Sequence, residues 1–196
     1  MIKTIKFFIL NVLIISIVSS KNNPYLGFKK YMDQNINSTF HISYHQNQYN
    51  ESLVYEGILL FKSYEKYIFD NNFMRIIYGD KYIKTIYKKN KQIIYDEIID
   101  GEVSLFDFLF SKEKLDVSDF NSSNPDTSII NFTLEALDIK GFLKVHNLSG
   151  EPKQLSLFNV DSSHISIVEI KKIEDKDDFI LKAIDTTLYE LIDLRE

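Results

Sequence analysis

At 196 residues the chain is long enough for one domain with a substantial core, and it shows no internal period of the kind that marks repeats. With 12 Tyr and 15 Phe against 3 Pro and 6 Gly, the composition favours a strand-rich fold held by burial alone, since Cys is absent and no disulfide can help. The formal net charge of −5 argues against nucleic acid and anionic lipid surfaces as partners.

The first twenty residues read as a secretory signal. Lys3 and Lys6 form a basic start, Phe7 to Val18 is apolar except for Asn11 and Ser16, and Val18-Ser19-Ser20 offers small residues for cleavage. The run falls short of the roughly 20 apolar residues that a spanning helix needs. Residues 1–20 are therefore expected to be removed, leaving 21–196 as a single domain with a charge of about −7. No Cys follows the run to accept a bacterial lipid anchor, so the mature protein is expected to be soluble and monomeric. Asn-x-Ser/Thr triplets at Asn37, Asn50, Asn121, Asn131 and Asn147 also occur in a secreted glycoprotein, but a chain without Cys fits a bacterial periplasm better.

Along the mature chain, Pro24 to Asn35 has the spacing of a short amphipathic helix, with Leu26, Phe28, Tyr31 and Met32 set against Lys29, Lys30 and Asp33. Thr39 to Gln46 alternates with period two: Phe40, Ile42 and Tyr44 share one face, and Thr39, His41, Ser43 and His45 the other. A polar break at 47–52 leads to a strand with Val54, Ile58 and Leu60 on one side and Leu53, Tyr55, Gly57, Leu59 and Phe61 on the other. Tyr64 to Phe69 alternates again, with Tyr67 and Phe69 in phase. Phe73 to Tyr78 and Lys81 to Tyr87 flank Gly79-Asp80, which suits a type II′ hairpin. Lys88 to Lys91 reads as a solvated basic tip before the apolar strand Gln92 to Tyr95.

Ser104 can cap an apolar helix running to Ser111. Residues 112–126 are polar, and Ser122 to Pro125 is not expected to form a strand. Strands follow at Ile129 to Leu137, Gly141 to His146, Lys153 to Phe158 and His164 to Ile170, with turns at Asn147 to Gly150 and Asp161 to Ser163. His41 and His45 lie four apart, which is a metal-binding spacing on a helix but leaves them roughly 13–14 Å apart on a strand. No nucleophile elbow, phosphate loop or dinucleotide fingerprint is present, and Asp175, Asp177 and Asp178 lack the Gly and distal Glu of a calcium loop.

The stretch Thr39 to Gln46, followed by Glu56-Gly57, an apolar strand and a short aromatic strand, resembles the opening of the LolA family, the bacterial periplasmic carriers of outer-membrane lipoproteins. Gly57, Tyr67 and Phe69 fall on family positions without a gap. Ser63-Tyr64 stands where the family has Arg-Pro, Phe69 where it has Trp, and Lys84 where an aromatic is usual; Gly79-Asp80-Lys81 looks like an inverted form of its Asp-Gly-Lys turn.

The resemblance implies a mainly β fold with short helices (α+β): a strongly curved antiparallel sheet, or half-barrel, closed by a helical lid. Strand phase combined with it puts Phe40, Ile42, Tyr44, Leu59, Phe61, Tyr67, Phe69, Ile76 and Tyr78 around a lipid-binding cavity. Leu105, Phe106 and Leu109 would belong to the lid, and the 24–35 helix would close one end. The function implied is that of a periplasmic carrier, not an enzyme and without cofactor or metal. It would take acylated lipoproteins from an inner-membrane lipoprotein-releasing transporter to an outer-membrane receptor. The family Arg holds the lid through backbone carbonyls; Ser63 is too short for this and Lys62 points the other way, so the lid is expected to rely on its own apolar residues. Two other readings stay open: a periplasmic regulatory module that senses lipid or protein, and a structural envelope protein with a dry core.

Overall fold

The computed structural model describes residues 23–48, 51–79, 81–98, 116–134, 139–159, 165–173 and 181–195. The expected signal segment, the expected lid helix with Leu105, Phe106 and Leu109, and the 161–163 turn lie outside them. Among the described residues the fold is one short helix and an open, curved sheet of 12 strands.

Helix α1 spans Pro24–Gln34. Asn23 caps it, its side-chain oxygen accepting from the backbone N–H of Tyr25 at 2.9 Å and of Leu26 at 3.3 Å, while Pro24 sits where no N–H is needed. Phe28 and Met32, four apart, bury one stripe. Leu26, expected beside them, is instead 65% exposed, because burial here follows that narrow stripe and not the whole apolar content of the helix.

The strands are β1 (Ser38–Gln48), β2 (Glu51–Ser63), β3 (Lys66–Asp70), β4 (Met74–Tyr78), β5 (Tyr82–Tyr87), β6 (Gln92–Glu97), β7 (Asp116–Asn124), β8 (Thr127–Leu134), β9 (Ile139–His146), β10 (Pro152–Asn159), β11 (Ile165–Lys172) and β12 (Glu190–Asp193). Their order is β12-β6-β5-β4-β3-β2-β1-β11-β10-β9-β8-β7. Two antiparallel meanders, β1–β6 and β7–β11, are thus joined side by side where β1 pairs with β11, Ile42 opposite Ile170 and Tyr44 opposite Val168.

Four sequence expectations change. The polar break at 47–52 shrinks, since β1 runs to Gln48 and β2 begins at Glu51 with those two residues paired. The polar 116–124 segment is strand β7 after all, an edge strand broken by two register shifts; a strand that covers nothing on one side can be polar. Gly79 does not have the positive φ of a II′ turn's first central residue; its N–H donates to Tyr82 O at 3.2 Å, so it ends the strand and does not form the turn's centre. The tail from Phe179 to Asp193, whose resemblance to the LolA family implies a closing strand and a final apolar turn, carries no regular structure over 181–186, and β12 follows, pairing parallel with β6.

The 147–150 turn is present and does more than reverse the chain. Gly150 has φ +74° and lies so close to α1 that a Cβ there would sit 2.2 Å from the Gly27 carbonyl oxygen. Only glycine supplies both the left-handed backbone and the clearance, so this turn sets how closely α1 approaches the sheet.

Candidate functional site

The register settles which side chains share a face. Phe40 is opposite Leu59, and Leu59 is opposite Phe69; Phe61 is opposite Tyr67, and Tyr67 is opposite Tyr78; Phe69 is opposite Ile76. Ile42 and Tyr44 follow Phe40 at period two. The structure therefore brings Phe40, Ile42, Tyr44, Leu59, Phe61, Tyr67, Phe69, Ile76 and Tyr78 onto one face, here the inner face, which also carries α1.

Within that face the residues divide by depth. Phe40, Ile42, Leu59, Phe61, Tyr67 and Phe69 are buried in a cluster with Phe28 and Met32 of α1, whereas Tyr44, Ile76 and Tyr78 are half-buried at its margin. Each fully buried large apolar side chain contributes about 1.5–3 kcal/mol relative to exposure, so the inner group belongs to the stability of the fold. Tyr44, Ile76 and Tyr78 keep part of their surface exposed beside that packing.

Aromatic rings continue outward from the buried cluster. Tyr67 and Tyr78 stack at 4.8 Å and 7°. Tyr44 stacks on Tyr55 at 6.2 Å, and Tyr55 meets Phe73 edge-on at 6.1 Å, reaching the rim where Phe73 is 55% exposed. Phe69 lies across Gly57: a Cβ on Gly57 would be 2.5 Å from its ring and 2.9 Å from the Asp70 carbonyl oxygen. An aromatic folded over a strand glycine covers backbone that no side chain protects and lets the sheet bend there.

Strand phase and resemblance place the site in the first meander alone. The second contributes equally to the inner face, with Ile130 and Phe132 of β8, Leu143 and Val145 of β9, and Leu155 of β10 all buried in the same cluster. The signal was available in the alternation of those strands, but without a family motif it identified strands and not a face.

Ser63 only accepts from the Glu65 N–H at 3.3 Å, next to an irregularity in the β2–β3 pairing. Its neighbour Tyr64 reaches α1: the hydroxyl donates to Asp33 Oδ1 at 2.7 Å, and the Lys29 ammonium sits 4.3 Å from the ring centroid. Burial first, then the Asp33 hydrogen bond and charge, push the Tyr64 phenol well above its ordinary range, and burial lowers Lys29 against the pull of Asp33.

The outer face is built differently. Arg75 is bidentate to Asp70, Nε to Oδ1 at 3.0 Å and Nη2 to Oδ2 at 3.1 Å, and Lys88 reaches Asp70 Oδ1 at 2.9 Å and the Asn71 carbonyl. Lys88, read from sequence as solvated, is drawn inward by this carboxylate. Burial raises the Asp70 carboxyl, but the hydrogen bonds and charges of Arg75 and Lys88 outweigh it and hold the group below its ordinary value. Arg75 Nη2 also donates to Lys182 O at 2.9 Å, fastening the 181–189 segment across the outer face. A groove of about 760 Å³ lies between segment and sheet, lined by His41, Glu56, Ile58, Ile184 and Tyr189 among others. His45, the other member of the histidine pair, lies 3.3 Å from Ser43 Oγ.

No family model matches the chain, and no curated protein matches it in sequence. Among solved structures it is similar to an uncharacterised conserved protein from Thermus thermophilus, at 7% identity over 86% of this chain and 98% of that one, with a TM-score of 0.53. It is also similar to a LolA superfamily protein from Nitrosomonas europaea, at 13% identity over 81% and 97% of the two chains with a TM-score of 0.44. A putative outer membrane lipoprotein-sorting protein domain from Vibrio parahaemolyticus gives 9% identity over 80% and 97%, with a TM-score of 0.39. The first likeness is one of fold alone; below a TM-score of 0.5 the other two bear on nothing further. Among the described residues no helix is long and apolar enough to cross a membrane.

Proposed function

We propose that the protein is an envelope carrier that binds acyl chains along the inner face of its sheet, the acyl chains of lipoproteins being the cargo that the LolA resemblance suggests. The observation that carries this reading is the half-buried margin of Tyr44, Ile76 and Tyr78 around a fully packed aromatic floor. Apolar side chains that meet partly exposed beside a dry core offer a surface that a reversible ligand can cover and give up again, which a carrier needs. The remaining parts of the proposal are a periplasmic setting after loss of the first twenty residues, no catalytic step, delivery between an inner-membrane transporter and an outer-membrane receptor, and a 104–111 lid over the trough.

One observation favours a second reading. Six of the proposed contact residues are already buried, which is what a structural or sensory envelope protein with a dry core requires. Extraction of the purified protein with organic solvent, followed by mass spectrometry, separates the two. Acyl chains recovered in fixed proportion to protein support the carrier; a ligand-free protein that also fails to take up a fluorescent fatty acid supports the dry core.

A further inference from the structure

We propose that two copies of this chain pair through their β12 strands, antiparallel about a twofold axis at Leu191, so that two sheets become one. This is independent of whether the trough carries lipid, and it departs from the monomer expected from sequence.

β12 ends the sheet, with β6 on one side and no further strand beyond it among the described residues. The Glu190 N–H donates to Lys91 O at 2.8 Å and the Leu194 N–H to Tyr95 O at 2.8 Å, which turns the backbone groups of these alternate residues toward β6. The N–H and C=O of Leu191 and Asp193 therefore face outward, and among the described residues no strand pairs with them.

Three exposed leucines sit along this edge among the charges of Glu190, Asp193 and Arg195: Leu191 within β12 at 61%, and Leu188 and Leu194 just outside it at 79% and 54%. Their spacing is symmetric about Leu191, so the edge is complementary to itself. An antiparallel pair centred there lets Leu191 exchange both backbone hydrogen bonds with the partner's Leu191 and brings Leu188 to the partner's Leu194. The same register sets Glu190 against the partner's Ile192, and Asp193 against the partner's Tyr189. Centring on Asp193, the next outward-facing residue, would oppose two carboxylates, so charge selects the leucine register.

Arg195 holds Asp193 through Nε at 2.7 Å and Nη2 at 2.6 Å and lies over the Tyr82 and Tyr95 rings, at 5.1 Å and 4.7 Å. The strand is short and the interface small, so the dimer is expected to be weak and dependent on concentration.

The test uses the absence of Cys. Facing residues in a hydrogen-bonded antiparallel pair have Cα atoms about 5.5 Å apart, within disulfide range, so Leu191→Cys should cross-link to a covalent dimer under mild oxidation while Ile192→Cys should not. Sedimentation equilibrium of the unmodified protein should show dimer growing with concentration, and Leu191→Lys should weaken it at least tenfold with an unchanged circular dichroism spectrum. Wild-type protein that stays monomeric up to its solubility limit overturns the proposal, as does a dimer indifferent to Leu191→Lys or equal cross-linking at both cysteine positions.

Discussion

The Tyr64 hydroxyl reaches the helix that covers the inner face, donating to the Asp33 carboxylate at 2.7 Å with the Lys29 carbonyl oxygen at 3.5 Å, and so joins two elements that the sheet does not connect. Tyr64→Phe keeps the ring and its edge contact with Phe61 but loses that bond, and is expected to cost about 1 kcal/mol at this partly exposed site. Urea unfolding of the two proteins measures it. The pair is stable while the phenol is protonated; its contribution is complete below the ordinary tyrosine value of 10.0 and is lost as pH rises through the higher folded value. Asp70 runs the other way. Its folded value lies below 3.8, so its contribution is present above that pH and disappears as pH falls through the lowered value. Asp70→Asn removes the charge that Arg75 and Lys88 share on the outer face, while each keeps a backbone carbonyl acceptor, and should cost about 1–2 kcal/mol at neutral pH. The stabilities of mutant and wild type should converge in acid-titrated unfolding experiments, whereas a constant difference down to low pH would mean that Asp70 acts by packing alone.

At the scale of elements, α1 is placed by the Gly27–Gly150 contact at one point and by Tyr64 at another. Gly150→Ala meets both a positive φ and a carbonyl, so it should destabilise by about 1–3 kcal/mol and speed hydrogen exchange in residues 24–34 more than in β2. Equal acceleration in both would show that α1 does not open separately. The elements legible in the sequence were those with a local signal. Phe40 to Tyr44 and Tyr67 to Phe69 alternate within themselves, and Pro24 to Asn35 has the spacing of a helix. β7 gave no such signal, because its apolar content is low and its strand state comes from pairing with β8. β12 was hidden for another reason: it pairs in parallel with a strand about a hundred residues earlier, and nothing in Glu190 to Asp193 specifies that partner. Of the site, strand phase revealed the face, but not its depth; which residues α1 had already buried depends on helix placement, which rests on a glycine contact no local pattern encodes.

The whole molecule presents two unlike faces of one sheet. The inner is aromatic and apolar under α1; the outer is crossed by the 181–189 segment and fixed by the Asp70–Arg75–Lys88 group. Because neighbouring residues on a strand point to opposite faces, the central claim can be tested by the same substitution one residue apart. Ile76 and Ile77 are both half-buried on β4, Ile76 on the inner face and Ile77 on the outer. A carboxylate placed in an apolar trough has no partner and must be desolvated when a ligand covers it. In a titration with a fluorescent fatty acid, Ile76→Asp is predicted to weaken binding about tenfold or more, a loss of roughly 1.4 kcal/mol, while Ile77→Asp binds as wild type. Equal binding by two folded variants, or a greater loss from Ile77→Asp, would contradict the assignment of the ligand to the inner face.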